Sequence, residues 1–384
     1  MKILNVAMSL DPADAGMIER TFQMSVSLAK AGEDVAVLAT DAGLTQDRVE
    51  AIKPARVLAV PCLNKRFYLP WPLFSRMRSA VKDADIIHLM GHWSILNAIV
   101  YRQAIKLHKP YVVCPAGALA IFGRSKALKR LYNNFFGAGI IRDAAGLIAI
   151  TEKEKRDFES YGADLSKITV IPNAIVPEDY EDDAGQEFRT QFGLGARPFV
   201  LFLGRLNLIK GPDLLLRAFG EISPDTLRHD LVFVGWDGGM QTQLASDVHK
   251  LGLGGRVHFL GALHGKDKSR ALHAADLVVV PSRHEAMSIV VLEAGAAGTP
   301  VLLTDQCGFD EVEKIGGGLV VPASVNGLRE GLLKMLEDTG VLRDQGRRLQ
   351  DHCLARFTWK AIAHNYLACY ERIFENLRIE TQVN

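Results

Sequence analysis

At 384 residues the chain is long enough for two or three domains of about 150 residues, each able to bury its own core. A hydrophobic fraction of 48%, a charged fraction of 23% and a mean hydropathy of +0.08 exclude a disordered chain, a coiled coil and a collagen-like repeat. Lys plus Arg number 45 and Asp plus Glu 44, so the net charge of +1 gives no global field that argues for a nucleic-acid partner, although local patches remain open.

In chain order, the opening MKILNVAMSLDPADAG reads as a first strand and not as a signal peptide. Further runs rich in Val, Ile and Leu alternate with segments of helical period, which is the pattern of a parallel sheet with helices on both faces. Strands are expected at 3–8, 34–39, 56–60, 86–90, 111–114, 147–150 and 168–171, and the rhythm restarts at 199–203, 231–234, 257–260, 277–280, 301–304 and 319–321. Between the halves, IPNAIVPEDYEDDAGQE has two prolines, an acidic cluster and no sustained period, so it reads as a linker. A last long helix is expected to open at Thr358 as its N-cap. No apolar run reaches the roughly 18 residues of a membrane span. The cysteines Cys62, Cys114, Cys307, Cys353 and Cys369 are odd in number and contain no CxxC, which implies neither a disulfide framework nor a zinc site and makes a reducing, cytosolic setting the default.

In doubly wound sheets, ligands bind outside the carboxyl ends of the strands, so the loops that follow strands are where chemistry is sought. FVLFLGRLNLIKGPDLLLRAF ends a strand at Gly204 and sets Arg205 and Lys210 in the loop that opens the next helix. Fixed cations and free helix N–H groups suit a diphosphate. A solvated Lys210 and a surface-paired Arg205 account for these residues equally well on their own.

ADLVVVPSRHEAMSIVVLEAGAAGTPVLLTD adds Glu285 just before a helix expected from about Met287, with Glu293 inside it. Glu285 can accept hydrogen bonds from sugar hydroxyls. The first amides, near Ala286, Met287, Ser288 and Ile289, offer an anion site, and Glu293 can accept both ribose hydroxyls. The plainer reading of Glu293 is a helix carboxylate paired with a nearby cation, since burying it unpaired would be costly.

The Glu-x7-Glu pair Glu285 and Glu293, with Gly204-Arg205 and Lys210-Gly211, resembles the family 4 retaining glycosyltransferases of the GT-B fold. A glycine turn in DPADAGMIERT, the IPNAI segment and the Thr358-Trp359 helix extend the resemblance along nearly the whole chain. It implies two Rossmann-like domains facing across a cleft: residues 1–175 on the acceptor side, 176–357 binding the donor, and a helix 358–384 crossing back. It implies that Arg205 and Lys210 meet the diphosphate of a nucleotide sugar, that Glu285 and the amides of 286 to 289 hold sugar and phosphate, that Glu293 binds ribose, and that Gly16 lets the donor approach. Neither a metal nor another cofactor is implied. Asp83-Ala84-Asp85 looks like a DxD string, but it precedes a strand and reads as a polar turn.

Departures from the family pattern stand at Ala15-Gly16, Met287-Ser288, Pro115-Ala116-Gly117 and His88-Leu89-Met90-Gly91-His92-Trp93. His88 reads as a core residue, while His92 and Trp93 are acceptor candidates along with Lys65 and Arg66. These two basic residues open a stretch, 64–82, of cations and aromatics without an acid, which suits an anionic membrane or a lipid diphosphate as well as a solvated rim. A second such stretch follows, with Arg124, Lys126, Lys129 and Arg130. Its Leu128, Leu131 and Phe135 keep helical spacing and are expected in the core.

The function implied is sugar transfer, with retention, from a nucleoside-diphosphate sugar to a saccharide or lipid-linked saccharide in bacterial cell-surface assembly, by a cytoplasmic protein peripheral to the membrane. A nucleotide-sugar epimerase or phosphorylase, or a non-catalytic sugar-nucleotide-binding subunit, are the alternatives.

Overall fold

A computed structural model describes residues 1–12, 16–71, 74–121 and 125–383. Ala15, Arg124 and the side chain of Phe74 lie outside the described residues. The chain divides into two compact units, Met1–Asn173 with Trp359–Asn384, and Ala174–Thr358.

The first unit holds β1 (Lys2–Val6), β2 (Asp34–Thr40), β3 (Arg56–Val60), β4 (Cys62–Asn64), β5 (Leu69–Pro70), β6 (Ile86–Met90), β7 (Tyr111–Cys114), β8 (Gly146–Ala149) and β9 (Ile168–Val170). Seven of these form one sheet in the order β3-β2-β1-β6-β7-β8-β9, with every pairing parallel. Both faces are covered, which explains why β6, IIHLM, is apolar apart from His88 and buried throughout. The strands β4 and β5 form a small antiparallel hairpin of their own. They escape detection in the sequence because three- and two-residue strands carry no period to read.

The first helix, Met17–Lys30, opens at Gly16, whose φ of +49° is a conformation glycine adopts cheaply. On this helix Arg20 is buried, and a buried cation is costly unless hydrogen bonds replace its hydration. Its guanidinium donates to the carbonyls of Ile171 and Pro172, to Asn173 Oδ1 at 2.6 Å and to Tyr366 Oη at 2.6 Å. Arg20 therefore ties the last helix, Trp359–Val383, and the 171–173 segment to the start of the chain. Asp85 sits in the turn before β6, accepting from the amide of Lys2 at 2.8 Å.

The helical run Lys126–Tyr132, Asn133–Gly137 and Ala138–Arg142 corrects one expectation. Leu128, Leu131 and Phe135 are 53%, 52% and 68% exposed, not core. Tyr132 and Phe136 take the inward positions, and the middle segment is a π-helix.

The second unit contains β10 (Phe199–Leu203), β11 (Asp230–Val234), β12 (Val257–Phe259), β13 (Leu277–Val280), β14 (Val301–Thr304) and β15 (Gly318–Val321). They form a parallel sheet in the order β12-β11-β10-β13-β14-β15. Phe202, Leu215, Phe219, Leu231 and Leu277 are among its buried core. Because β10 lies between β11 and β13, with β14 next, the loops leaving β10, β11, β13 and β14 share one carboxyl edge.

Candidate functional site

The loop after β10 is set by close backbone approach. Gly204 and Gly235 both have φ near +150°, and a Cβ on Gly235 would stand 1.9 Å from the Gly204 carbonyl oxygen. The loops leaving β10 and β11 thus pass in contact and are joined by Leu206 N–H donating to the Trp236 carbonyl at 2.9 Å. Lys210 is held by its amide on Asn207 Oδ1 at 3.0 Å. Gly211, at φ +70°, leads into the helix Pro212–Gly220, and a Cβ there would lie 2.0 Å from the Pro281 carbonyl oxygen. Only glycine allows this loop to lie against the one that follows β13.

Arg283 fastens that contact. Its guanidinium grips Asp213 with two bonds of 2.8 and 2.7 Å and also donates to the Leu208 carbonyl at 2.7 Å, while its amide donates to the Ile209 carbonyl. A bidentate Arg–carboxylate pair adds geometric definition as well as energy. The outcome is that Lys210 Nζ lies 2.9 Å from Glu285 Oε1, the carboxylate being nearly buried and further held by the Ser282 hydroxyl. Lys210 is therefore neither free nor merely solvated. Arg205 differs: it is exposed, and among the described residues nothing hydrogen-bonds or pairs with its guanidinium.

The helix bearing Glu293 spans Ile289–Ala296, two residues later than expected, with Ser288 as its N-cap. One expectation about its start needs correcting. The Ser288 amide donates to the Cys307 carbonyl at 3.0 Å and so is not available to an anion. The cause is the loop after β14, where Gly308 approaches so closely that a Cβ would lie 1.9 Å from the Ala286 carbonyl oxygen. The same loop buries Cys307 beside Glu285, and burial with that carboxylate pushes its thiol up to about 11. Ser288 Oγ is buried and has no hydrogen-bond partner among the described residues, and Ile289 heads the helix with an amide that has no intrahelical acceptor.

Glu293 Oε1 accepts from Tyr180 Oη and Lys268 Nζ, each at 2.9 Å. It is thus paired with a cation, as the plainer reading of the sequence allowed. Neither partner was singled out from sequence, since Tyr180 lies in the linker 113 positions away. The polar Arg283 and Asp213 inside apolar motif strings were the available signal for the fastening pair.

Two family models cover most of the chain: one described as Glycosyltransferase Family 4 matches residues 16–179, and one described as Glycosyl transferases group 1 matches residues 186–351. The chain belongs to the family 4 glycosyltransferases. A D-inositol 3-phosphate glycosyltransferase of Nocardia farcinica is 34% identical over 245 residues, covering 60% of this chain and 53% of that protein. Its counterpart in Mycobacterium marinum is 28% identical over 386 residues, covering 93% and 81%. The chain thus spans about half the length of the Nocardia relative it matches. Anabaena HepE, crystallised with UDP and glucose, superimposes with a TM-score of 0.77 at 21% identity, covering 97% of this chain and 100% of that one, so the fold is GT-B.

In this family 4 chain the remaining candidates lie in the first unit. Gly16 follows β1, Lys65 and Arg66 turn the exposed β4–β5 hairpin, and the Arg66 guanidinium lies 5.4 Å over the Phe67 ring. Trp93 is half-buried and donates its indole N–H to the Ala118 carbonyl. His92 departs from expectation. It is buried, bonded through Nε2 to Asn133 Oδ1 at 2.9 Å and packed edge-on against Trp93, Tyr132 and Tyr161. Burial lowers it to about 4, so it is a neutral packing residue of an aromatic cluster and not a surface contact. His88 is in the core, held by Tyr370 Oη at 2.7 Å and lowered to about 3 by burial. Among the described residues, no helix is long and apolar enough to cross a membrane.

Proposed function

We propose that this protein transfers a glycosyl group, with retention, from a nucleoside-diphosphate sugar to a saccharide or lipid-linked saccharide. The observation that carries the reading is the juxtaposition, on one carboxyl edge, of unpaired Arg205 with the Lys210–Glu285 pair at 2.9 Å. Charge develops on the leaving diphosphate as the anomeric carbon becomes cation-like, and preorganised cations there are the main source of stabilisation. Arg205 and Lys210 would meet that charge, without a metal. The bond from the anomeric carbon to the β-phosphate oxygen breaks and one to the acceptor oxygen forms. The acceptor's proton goes to the departing phosphate, so no side chain is required as a base. Glu285 would hold sugar hydroxyls while keeping Lys210 aimed, and the second oxygen of Glu293 would take the ribose.

HepE was crystallised with UDP and glucose, which supports a nucleotide-sugar donor. The inositol-phosphate relatives add a phosphorylated cyclitol to the acceptors worth testing. In a bacterium the setting would be the assembly of surface polysaccharide or glycolipid, at the cytoplasmic face of the membrane.

The test incubates wild type and Glu285→Ala with a panel of nucleotide sugars, with and without acceptors. Transfer, or slow donor hydrolysis, that disappears in a folded Glu285→Ala supports the reading. Acceptor-independent interconversion of the sugar would identify an epimerase, phosphate-dependent release a phosphorylase, and binding with no turnover in wild type a non-catalytic subunit.

A further inference from the structure

We propose that the helical segment 126–136 of the first unit docks the protein on an anionic phospholipid bilayer. Leu128, Leu131 and Phe135 recur at three and four residues, the spacing of one helix face. A face of that kind is ordinarily buried, yet here its three side chains are more than half exposed. The segment already supplies a different face to the core. Tyr132 packs edge-on against His92 and Trp93, with ring centroids 5.7 Å apart in both cases, and the Phe136 ring lies tilted against Tyr132 at 5.9 Å. The exposed face is therefore a second apolar surface, not a core face left slightly open. The π-turn at Asn133–Gly137, a rare geometry often kept for function, lies within the same run.

Charge identifies what covers this face. The chain has a net charge of +1, but residues 51–142 carry fifteen Lys and Arg against two acids, Asp83 and Asp85. On the segment itself Lys126 and Arg130 are exposed and pair with no acid among the described residues. Apolar side chains flanked by cations without acids are the chemistry of helices that lie in the plane of an anionic membrane surface. Breadth favours a bilayer over an acidic polypeptide. The β4–β5 hairpin bears the same combination, with Phe67 53% and Trp71 50% exposed beside Lys65 and Arg66. The hairpin leaves the carboxyl end of β3 and the helical segment follows that of β7, four strand spacings away in one sheet, or about 19 Å. Two such points on one sheet edge suit an extended surface better than a groove for a single peptide.

The inference does not depend on the donor chemistry, so the two fail separately. The full chain is co-sedimented with sucrose-loaded vesicles of phosphatidylglycerol and phosphatidylcholine, and with vesicles of phosphatidylcholine alone. Wild type is expected to pellet with the anionic vesicles and to be released by salt. Each cation near the surface contributes about 1 kcal/mol, or about fivefold, so K126E/R130E should lower the partition coefficient by about thirtyfold or more. L131D/F135D should lower it at least tenfold, and all four residues being exposed, thermal unfolding should not move. The proposal is overturned if wild type ignores anionic vesicles, if it binds both compositions equally, or if either double variant pellets like wild type. Release from vesicles by polyglutamate or RNA at matched ionic strength would reassign the face to that class of partner.

Discussion

Replacing Arg205 and Lys210 separately by Met tests the diphosphate assignment, because the structure gives the two cations different starting states. A charge-assisted hydrogen bond contributes about 1.5–3 kcal/mol. Arg205 has no counter-charge to give up among the described residues, so Arg205→Met should weaken nucleoside diphosphate by that amount, about tenfold to 150-fold, and leave stability unchanged. Lys210 must loosen its pair with Glu285, which is worth about 1 kcal/mol with Lys210 a third exposed and Glu285 nearly buried. The net loss for Lys210→Met is then smaller, about twofold to thirtyfold in affinity. It also strips the partner from a buried carboxylate, costing about 1 kcal/mol of stability, or about 2–4 °C in Tm for a unit of this size. Met preserves the apolar stem in both cases. Isothermal titration with UDP, GDP and ADP at fixed ionic strength reads the affinities, and differential scanning calorimetry the stabilities. K210M/E285Q should regain the lost stability without regaining affinity. Unchanged affinity in Arg205→Met, or Lys210→Met proving the more damaging to binding, would refute the reasoning.

Gly211→Ala should lower Tm well beyond Gly193→Ala. Both have positive φ and carry the left-handed strain of about 1–2 kcal/mol, but a Cβ at 211 meets the Pro281 carbonyl at 2.0 Å whereas one at 193 meets nothing within 4 Å. Equal melting shifts would show that the loop contact can move freely. Stability of the first unit should fall as pH drops. His88 and His92 are held near 3 and 4 against 6.5 in the unfolded chain, so their contribution is complete above pH 6.5 and is lost as pH falls toward the folded values. Each contributes a slope of up to about 1.4 kcal/mol per pH unit. Urea unfolding followed from about pH 7 to about pH 5 should show this fall, and His92→Gln should flatten it. Transfer should also persist in excess EDTA after dialysis; abolition that added magnesium restores would assign part of the diphosphate charge to a metal.

Much of the architecture was legible in the chain. Strands buried on both faces are continuous apolar runs, so β6, β7, β10, β13 and β14 fall at or within a residue of where the runs lie. The motif residues were legible because a charge next to an apolar strand end, as at Arg205 and Glu285, is conspicuous against its surroundings. The fastening of the site was not: Arg283 holds Asp213, and Lys268 and Tyr180 hold Glu293, through contacts between segments far apart in sequence. The short β4–β5 hairpin and the fate of the Ser288 amide were hidden for the same reason, since each depends on what another loop brings near.

The sequence by itself determined two parallel sheets and the loops that carry charge, because side-chain period and local apolarity are properties of neighbouring residues. Tertiary structure alone decided which charges meet, that His92 is enclosed while Arg205 has no partner among the described residues, and that Leu128, Leu131 and Phe135 stand more than half exposed. Helical spacing specifies which side chains share a face; whether anything covers that face depends on segments folded in from elsewhere in the chain.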